Sequence, residues 1–177
     1  MKTFFCEKVL APIIVPVLKI VLPLFARRLK EPKETGAYEF GNPAINDTIT
    51  TDHALTLCKK YDFNILVDRL MAHPEHYKSW SFDGVSMLPE GLARWLTKAP
   101  NITEIAQRHD LKYAYGESGN SEEKRAADLE LKQEIIDNGG RRWVAELLFC
   151  LVETFGKEEY GFDFSWCFAH KEKKILK

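Results

Sequence analysis

The chain contains 177 residues, with 25 Lys plus Arg against 26 Asp plus Glu and a formal net charge of −1. A nucleic-acid-binding domain usually carries a basic excess, so this balance argues against nucleic acid as a partner. Hydrophobic residues make up 45% and charged residues 29% of the chain, which is typical of a globular protein with a sizeable core.

The N-terminal segment differs from the rest of the sequence. Residues 9–26 are apolar except for Lys19, and four basic residues follow within residues 27–33. If helical, this segment is about long enough to cross a bilayer, but three prolines oppose a continuous helix. Three interpretations stay open: a segment lying on a membrane surface, a spanning anchor, and a broken helix packed on the core. A signal peptide fits poorly because the basic flank follows the apolar run.

The cysteines are widely separated, with no CxxC pair and no metal-ligand spacing: Cys6, Cys58, Cys150 and Cys167. A small secreted domain stapled by disulfides would have a denser set. We therefore expect reduced thiols and a cytoplasmic or membrane-associated protein in a reducing compartment, and the alternative is that one pair of these cysteines is bridged.

The first half of the chain predicts few regular elements. Residues 29–52 predict a linker, because they are rich in Pro, Gly, Thr and charged residues. Residues 52–72 predict one helix capped by Asp52. Residues 73–100 predict loops with a short helix over residues 91–97. No segment alternates cleanly as a strand would, so the predicted class is mainly α.

Three helices are predicted in the second half. The first begins near Asn101, in a capping-box pattern, and ends at Gly116. The second begins at Ser121 and ends at residues 138–140, and the third covers residues 141–155. A short polar turn joins the first two, so we expect them to form an antiparallel hairpin.

His109 and Asp128 are predicted to face each other across this hairpin. His109 lies seven residues before Gly116, and Asp128 lies seven residues after Ser121. At a rise of about 1.5 Å per residue the two are level. In such a pair the carboxylate orients the imidazole, and the free ring nitrogen can act as a general base.

A cation site is predicted next to this pair. Asp110 points about 100° around the helix from His109, and Asp83 and Gly84 lie upstream in a loop. Carboxylates with free backbone carbonyls are the ligands that calcium prefers.

Two other groups are assigned to structure rather than to a site. His73 and His76 have i, i+3 spacing, but Pro74 between them argues against a metal site. Four aromatic residues near the C-terminal end are expected to pack mainly in the core: Phe162, Phe164, Trp166 and Phe168.

Three stretches in this order resemble the bacterial and fungal type of secreted phospholipase A2. They are W-S-F-D-G-V-S-M-L-P from residue 80, R-H-D-L-K-Y from residue 108 and R-A-A-D from residue 125. The resemblance covers about residues 77–157. It implies a phospholipase A2-like helical hairpin with a third helix, and the apolar N-terminal extension lies outside it.

The resemblance implies calcium-dependent hydrolysis of the sn-2 ester of glycerophospholipids, with a phospholipid membrane as the partner. His109 would deprotonate a water molecule, Asp128 would orient His109, and Tyr113 would support the pair through its hydroxyl. The calcium ligands would be Asp83, the backbone carbonyl of Gly84, and Asp110. The chain then divides into a membrane-associating segment (1–35), a linker and helix (36–75) and a catalytic domain (76–170).

The chain departs from the family at the calcium loop, where secreted members carry a disulfide and this sequence has Val85. Packing alone must therefore hold the loop. A phage-encoded family of unknown function has a similar arrangement of residues. The alternative function is thus a non-catalytic structural or interaction protein, such as a phage particle component, with a protein partner bound through the N-terminal segment.

Overall fold

The computed structural model describes residues 47–85 and 90–171. Six α-helices and one two-stranded sheet form these ranges, which confirms the mainly α class. None of the described helices combines the length and hydrophobicity needed to cross a bilayer. The N-terminal segment over residues 9–26, with its three interpretations, and most of the predicted linker lie outside the described residues.

The regular elements follow one another with short connections. In chain order they are β1 (Thr48–Ile49), α1 (Thr51–Lys60), α2 (Asn64–Ala72), a 3₁₀ turn (Pro74–His76), β2 (Trp80–Ser81), α3 (Glu90–Thr97), α4 (Ile102–Tyr115), α5 (Ser121–Asp137), α6 (Arg142–Phe155) and a second 3₁₀ turn (Glu158–Tyr160). The short helix predicted over residues 91–97 and the three later helices are confirmed. The two short strands pair antiparallel, with Ile49 opposite Trp80.

The helix predicted over residues 52–72 is wrong as a single element. The chain breaks at Asp62, whose φ of 57° lies in the left-handed region that Asp tolerates better than most residues. The N–H of Phe63 then bonds back to the carbonyl of Cys58 at 2.9 Å, as at a helix end. The apolar stripe continues across this break, which is why periodicity alone did not detect it.

Two predicted helix caps are also corrected. Thr50, rather than Asp52, caps α1, because its hydroxyl accepts the N–H of His53 at 3.2 Å. The side chain of Asn101 makes no capping bond at the start of α4. Its amide instead donates to the side chain of Asn138 at 2.9 Å, which ties the start of α4 to the end of α5.

Helices α4 and α5 run antiparallel, since contacts between them pair early α4 residues with late α5 residues. Glu158 holds the connecting turn by accepting the hydroxyl of Ser118 at 2.6 Å and the N–H of Gly119 at 2.8 Å. Helix α6 packs mainly against α5. A Cβ on Gly156, just after α6, would lie 2.5 Å from the hydroxyl of Tyr113, so α6 ends in close contact with α4.

Two hydrophobic clusters hold the elements together. One joins α1 and α2 to the strands, to α4 and to residues 166–169. The other lies among α3, α4, α5 and α6, and Val85 packs against it. At Val85 the chain after Asp83 thus contacts the core, whereas residues 86–89 of the predicted calcium loop lie outside the described residues.

The cysteines do not all behave as expected. Cys58 and Cys167 are buried free thiols, and burial raises the pKa of Cys58 to about 12. Cys150 is disulfide-bonded, so the expectation of four reduced thiols is wrong at this position. Sequence spacing does not reveal which distant cysteines meet in space, and the cysteines now provide no argument for a reducing compartment.

Candidate functional site

The predicted histidine and aspartate are in contact across the hairpin. Nε2 of His109 lies 3.2 Å from Oδ1 of Asp128. Because an ionised carboxylate can only accept, this contact assigns the ring proton to Nε2 and leaves the lone pair on Nδ1. His109 is 8% exposed and Asp128 is 0% exposed, so water does not compete strongly for the contact.

Two further donors hold the Asp128 carboxylate. The hydroxyl of Tyr113 donates to Oδ1 at 2.6 Å. Nζ of Lys124 donates to Oδ2 at 2.7 Å and to the carbonyl of Val152 at 3.0 Å. Lys124 is itself only 8% exposed, so the site contains a buried ion pair.

Lys124 is a site residue that the sequence analysis missed. Its i, i+4 spacing from Asp128 on α5 is the signal that could have found it, because side chains four apart are neighbours on a helix. Arg125, the basic residue in the R-A-A-D motif, instead pairs with Glu153 at 2.5 Å. Arg125 thus pairs with a residue outside the His109 network, and its neighbour Lys124 contacts Asp128.

These contacts determine the charge state of the buried network. Burial alone would raise the pKa of Asp128, but the hydrogen bond from His109 and the charges of His109 and Lys124 outweigh burial and hold that pKa below its ordinary value. Burial also raises the pKa of Tyr113, so its hydroxyl stays a donor. Burial lowers the pKa of His109, but Asp110 and Asp128 outweigh burial and raise it.

Asp110 lies on the other side of the imidazole. Its Oδ1 is 3.8 Å from Nδ1 of His109, which is too long for a direct hydrogen bond. Burial raises the pKa of the Asp110 carboxyl to about 6, with His109 opposing this shift and the charge of Asp83 adding to it. The two aspartates therefore repel each other in the absence of a cation.

A cavity of about 330 Å³ opens beside Asp110. The described residues on its walls come from three parts of the chain: residues 78–81 with Asp83, Asp110 on α4, and Asp163, Phe164 and Phe168. Of the predicted site residues, Asp83 and Asp110 therefore line the cavity. The other four lie outside this set of lining residues: His109, Asp128, Tyr113 and Gly84.

The donor set of the cavity fits a hard cation, because Asp83, Asp110 and Asp163 offer oxygen ligands. These three carboxylates are spread around the walls, since no group of three acidic residues in the described ranges brings its ligand atoms within 4.8 Å. Gly84 is buried at a bend with φ of 81°, which fits the loop predicted at Asp83 and Gly84. Asp163 was not predicted, because no local pattern connects it to residues so far upstream.

The four C-terminal aromatic residues divide into two groups. Trp166 and Phe168 are buried, as predicted, but Phe162 is 47% exposed and Phe164 is 39% exposed. Together with Tyr160, which is 45% exposed, they form a surface that we call the aromatic ridge. The rings of Phe162 and Phe164 stack with centroids 5.1 Å apart. Because Phe164 also lines the cavity, the aromatic ridge borders its opening.

The chain was compared with protein-family models, with curated proteins and with solved structures, and it matches none of them. A functional assignment therefore depends on the geometry of the site and on the three motifs that resemble secreted phospholipase A2.

Proposed function

We propose that this chain is a calcium-dependent, phospholipase A2-like lipid hydrolase that cleaves the sn-2 ester of glycerophospholipids. One observation carries the proposal: His109 lies between two carboxylates with different roles. Asp128 binds the Nε2 side of the ring, and Asp110 lies 3.8 Å from Nδ1 at the wall of a cavity. The proposed fold is accordingly a phospholipase A2-like helical hairpin with a third helix.

In this proposal Nδ1 of His109 removes a proton from a water molecule near Asp110. The resulting hydroxide attacks the ester carbonyl, and the imidazolium then returns the proton to the departing alcohol oxygen. Asp128 stabilises the imidazolium and holds the ring orientation. Lys124 and Tyr113 keep Asp128 ionised and in place, as their contacts at 2.7 Å and 2.6 Å support.

The cation would be held by Asp83 and Asp110, with the carbonyl of Gly84 as a third ligand. Calcium bound there would supply electrostatic stabilisation of the ester oxygen and of the lipid phosphate. The repulsion between Asp83 and Asp110 supports this role, because a cation between the two carboxylates would relieve it.

The aromatic ridge supports a phospholipid surface as the partner. Aromatic side chains are favoured at the boundary between water and lipid. Phe164 belongs both to the aromatic ridge and to the cavity wall, so a membrane against the ridge would meet the cavity opening. Lys78, another lining residue, provides a positive charge for a lipid phosphate.

The test is fatty-acid release from liposomes of mixed anionic and zwitterionic lipid, measured with calcium and with a chelator. We expect release that requires calcium and is lost in His109→Gln. His53→Gln is the matched control, because His53 lies on α1, outside the residues of the network and cavity, and should leave release unchanged. Release that survives His109→Gln or chelation would overturn the mechanism.

A second candidate is a non-catalytic structural or interaction protein, and one observation favours it. Three residues of the network are buried and are not among the cavity-lining residues: His109, Asp128 and Tyr113. A buried polar network whose hydrogen bonds are satisfied can have the sole role of specifying how the helices pack. In that case well-folded protein would release no fatty acid from any lipid mixture, and His109→Gln would change stability alone.

A further inference from the structure

The 3₁₀ turn after α2 brings together a group of potential metal ligands outside the proposed catalytic site. His73 precedes the turn, and Glu75 and His76 lie within Pro74–His76. One ligand atom from each of His73, Glu75 and His76 lies within 4.8 Å of the others. In the described ranges, no other group of three His, Cys, Asp or Glu residues meets this distance.

Pro74 creates this arrangement rather than preventing it. Proline fixes φ near the helical value and lacks an N–H that the first turn would leave unpaired, so it suits the start of a turn. The N–H of His76 then bonds to the carbonyl of His73 at 3.1 Å. Residues three apart eclipse each other on a 3₁₀ turn, and the two imidazoles accordingly stack with centroids 4.7 Å apart. Pro74 is therefore compatible with close approach of the two imidazoles, which the sequence-based argument against a metal site did not consider.

The distances within the group suit a small tetrahedral cation. Nδ1 of His73 lies 3.4 Å from Oε1 of Glu75, and Nε2 of His76 lies 3.5 Å from the same oxygen. In a tetrahedral zinc site with bonds of about 2.0–2.1 Å, neighbouring ligand atoms are about 3.3 Å apart. The carboxylate is already at this separation from both nitrogens, and rotation of the two imidazoles out of their nearly parallel stack would direct both nitrogens at one ion.

The chemistry of the donors selects the class of metal. Two imidazole nitrogens and one carboxylate oxygen favour zinc and neighbouring divalent transition metals over calcium, which takes oxygen ligands. The side chains of His73 and Glu75 are 61% and 64% exposed, so water can fill the remaining position.

We infer that His73, Glu75 and His76 form a surface site for a divalent transition metal, with zinc as the representative ion. Zinc there would fasten the turn to which the C-terminal segment is attached. The N–H of Lys171 donates to the carbonyl of His76 at 2.9 Å, and Nζ of Lys171 donates to the carbonyl of Glu75 at 2.7 Å. Both contacts use backbone carbonyls, so the Glu75 carboxylate still faces the two imidazoles.

The test is titration calorimetry of the full chain, produced without a histidine tag, with zinc chloride. We expect one zinc ion per chain, and affinity weakened by about tenfold or more in His73→Gln and in His76→Gln. Because all three ligand side chains are exposed, these variants should fold normally. His53→Gln is the matched control and should bind zinc as the unchanged chain does.

Two further readouts connect the binding to this turn. Zinc should raise the midpoint of thermal unfolding of the unchanged chain but not of the His73→Gln, His76→Gln double variant. A large excess of calcium should leave zinc binding unchanged. The inference is overturned if no saturable zinc binding occurs, if the histidine variants bind as tightly as the unchanged chain, or if calcium displaces zinc, which would place the ion among the cavity carboxylates.

Discussion

The carboxylates on the two sides of the His109 ring differ in how closely they contact neighbouring polar groups. On the Asp128 side the carboxylate is fully buried and is in contact with His109, Tyr113 and Lys124. On the other side Asp110 is 19% exposed, lies 3.8 Å from the ring and lines a cavity. The closed side can fix orientation, whereas the open side can still take up a ligand.

The largest effect is expected from Asp128→Asn, which breaks the closed side. The substitution removes the charge that compensates the buried Lys124 ammonium at 2.7 Å. Breaking a buried ion pair costs about 3–5 kcal/mol, so we expect a fall of that size in the free energy of unfolding. Chemical denaturation measures it, and lipid hydrolysis should be lost in the same variant.

The matched control is the double variant Asp128→Asn, Lys124→Met. Removing both charges leaves no uncompensated ammonium, so the double variant should recover a large part of the lost stability. Hydrolysis should stay absent, because His109 still lacks its carboxylate. If the losses in the free energy of unfolding of the two single variants simply add in the double variant, the charges of Asp128 and Lys124 are not coupled as described.

Removal of the carboxylate on the open side should stabilise the protein, in contrast to its removal on the Asp128 side. In calcium-free buffer, Asp110→Asn removes a carboxyl whose pKa is raised from 3.8 to about 6. Each pKa unit corresponds to about 1.4 kcal/mol, so the variant should be more stable than the unchanged chain by about 1–3 kcal/mol near neutral pH. Calcium should stabilise the unchanged chain and have little effect on the variant.

The pH dependence of this gain follows from the direction of the shift. Well above pH 6 the carboxyl is ionised in both the folded and the unfolded chain, so the whole cost of holding the charge in the fold is present. Below the unfolded pKa it is protonated in both states, so the stability difference should disappear at about pH 4 or lower. A difference that is constant with pH would show that repulsion and burial of the Asp110 charge are not its source.

A smaller effect is expected from Tyr113→Phe, again on the closed side. The substitution removes the 2.6 Å hydrogen bond to Oδ1 of Asp128 but leaves His109 and Lys124 in place. A hydrogen bond to a charged group contributes about 1.5–3 kcal/mol, and we expect a loss near the lower end in denaturation experiments. Hydrolysis should be reduced rather than abolished. If Tyr113→Phe abolishes lipid hydrolysis as completely as Asp128→Asn, Tyr113 has a direct role in the reaction rather than a supporting one.

The smallest effect on stability is expected at the aromatic ridge. Phe162→Ser changes a ring that is 47% exposed, so the free energy of unfolding should change by less than about 0.5 kcal/mol. Binding to phospholipid vesicles, measured by co-sedimentation, should nevertheless weaken. Trp143→Ser is the matched control, because Trp143 is 59% exposed on α6 and is not among the cavity-lining residues. Equal weakening in both variants would argue against a contact specific to the ridge.

The elements that could be predicted from sequence are those determined by local signals. The C-terminal ends of α4 and α6 follow from Gly116 and Gly156, and that of α5 follows from Asn138. The level positions of His109 and Asp128 follow from helix rise alone. The break at Asp62 was missed because a single left-handed residue can interrupt a helix without disturbing its apolar stripe.

The cavity could be predicted only in part, because its walls come from distant parts of the chain. Asp83 and Asp110 were found through their motifs, but Asp163 and Phe164 lie in a segment whose aromatic residues predict core packing. Which of these rings is buried depends on how residues 162–165 turn, and a hydrogen bond of 3.0 Å from the N–H of Ser165 to the carbonyl of Phe162 closes that turn. The roles of the catalytic and calcium residues stay predictions.

The pairing of the segment around Tyr77 with the one around His170 also bears on the order of events during synthesis. The N–H of Lys78 bonds to the carbonyl of Ala169 at 2.8 Å, and Phe164 and Phe168 close the cavity that begins at Lys78. A chain made from its N-terminal end cannot complete this cavity until residues 163–170 have left the ribosome. A lipid-cleaving activity would therefore be withheld from the nascent chain, although His109 and Asp128 are translated earlier.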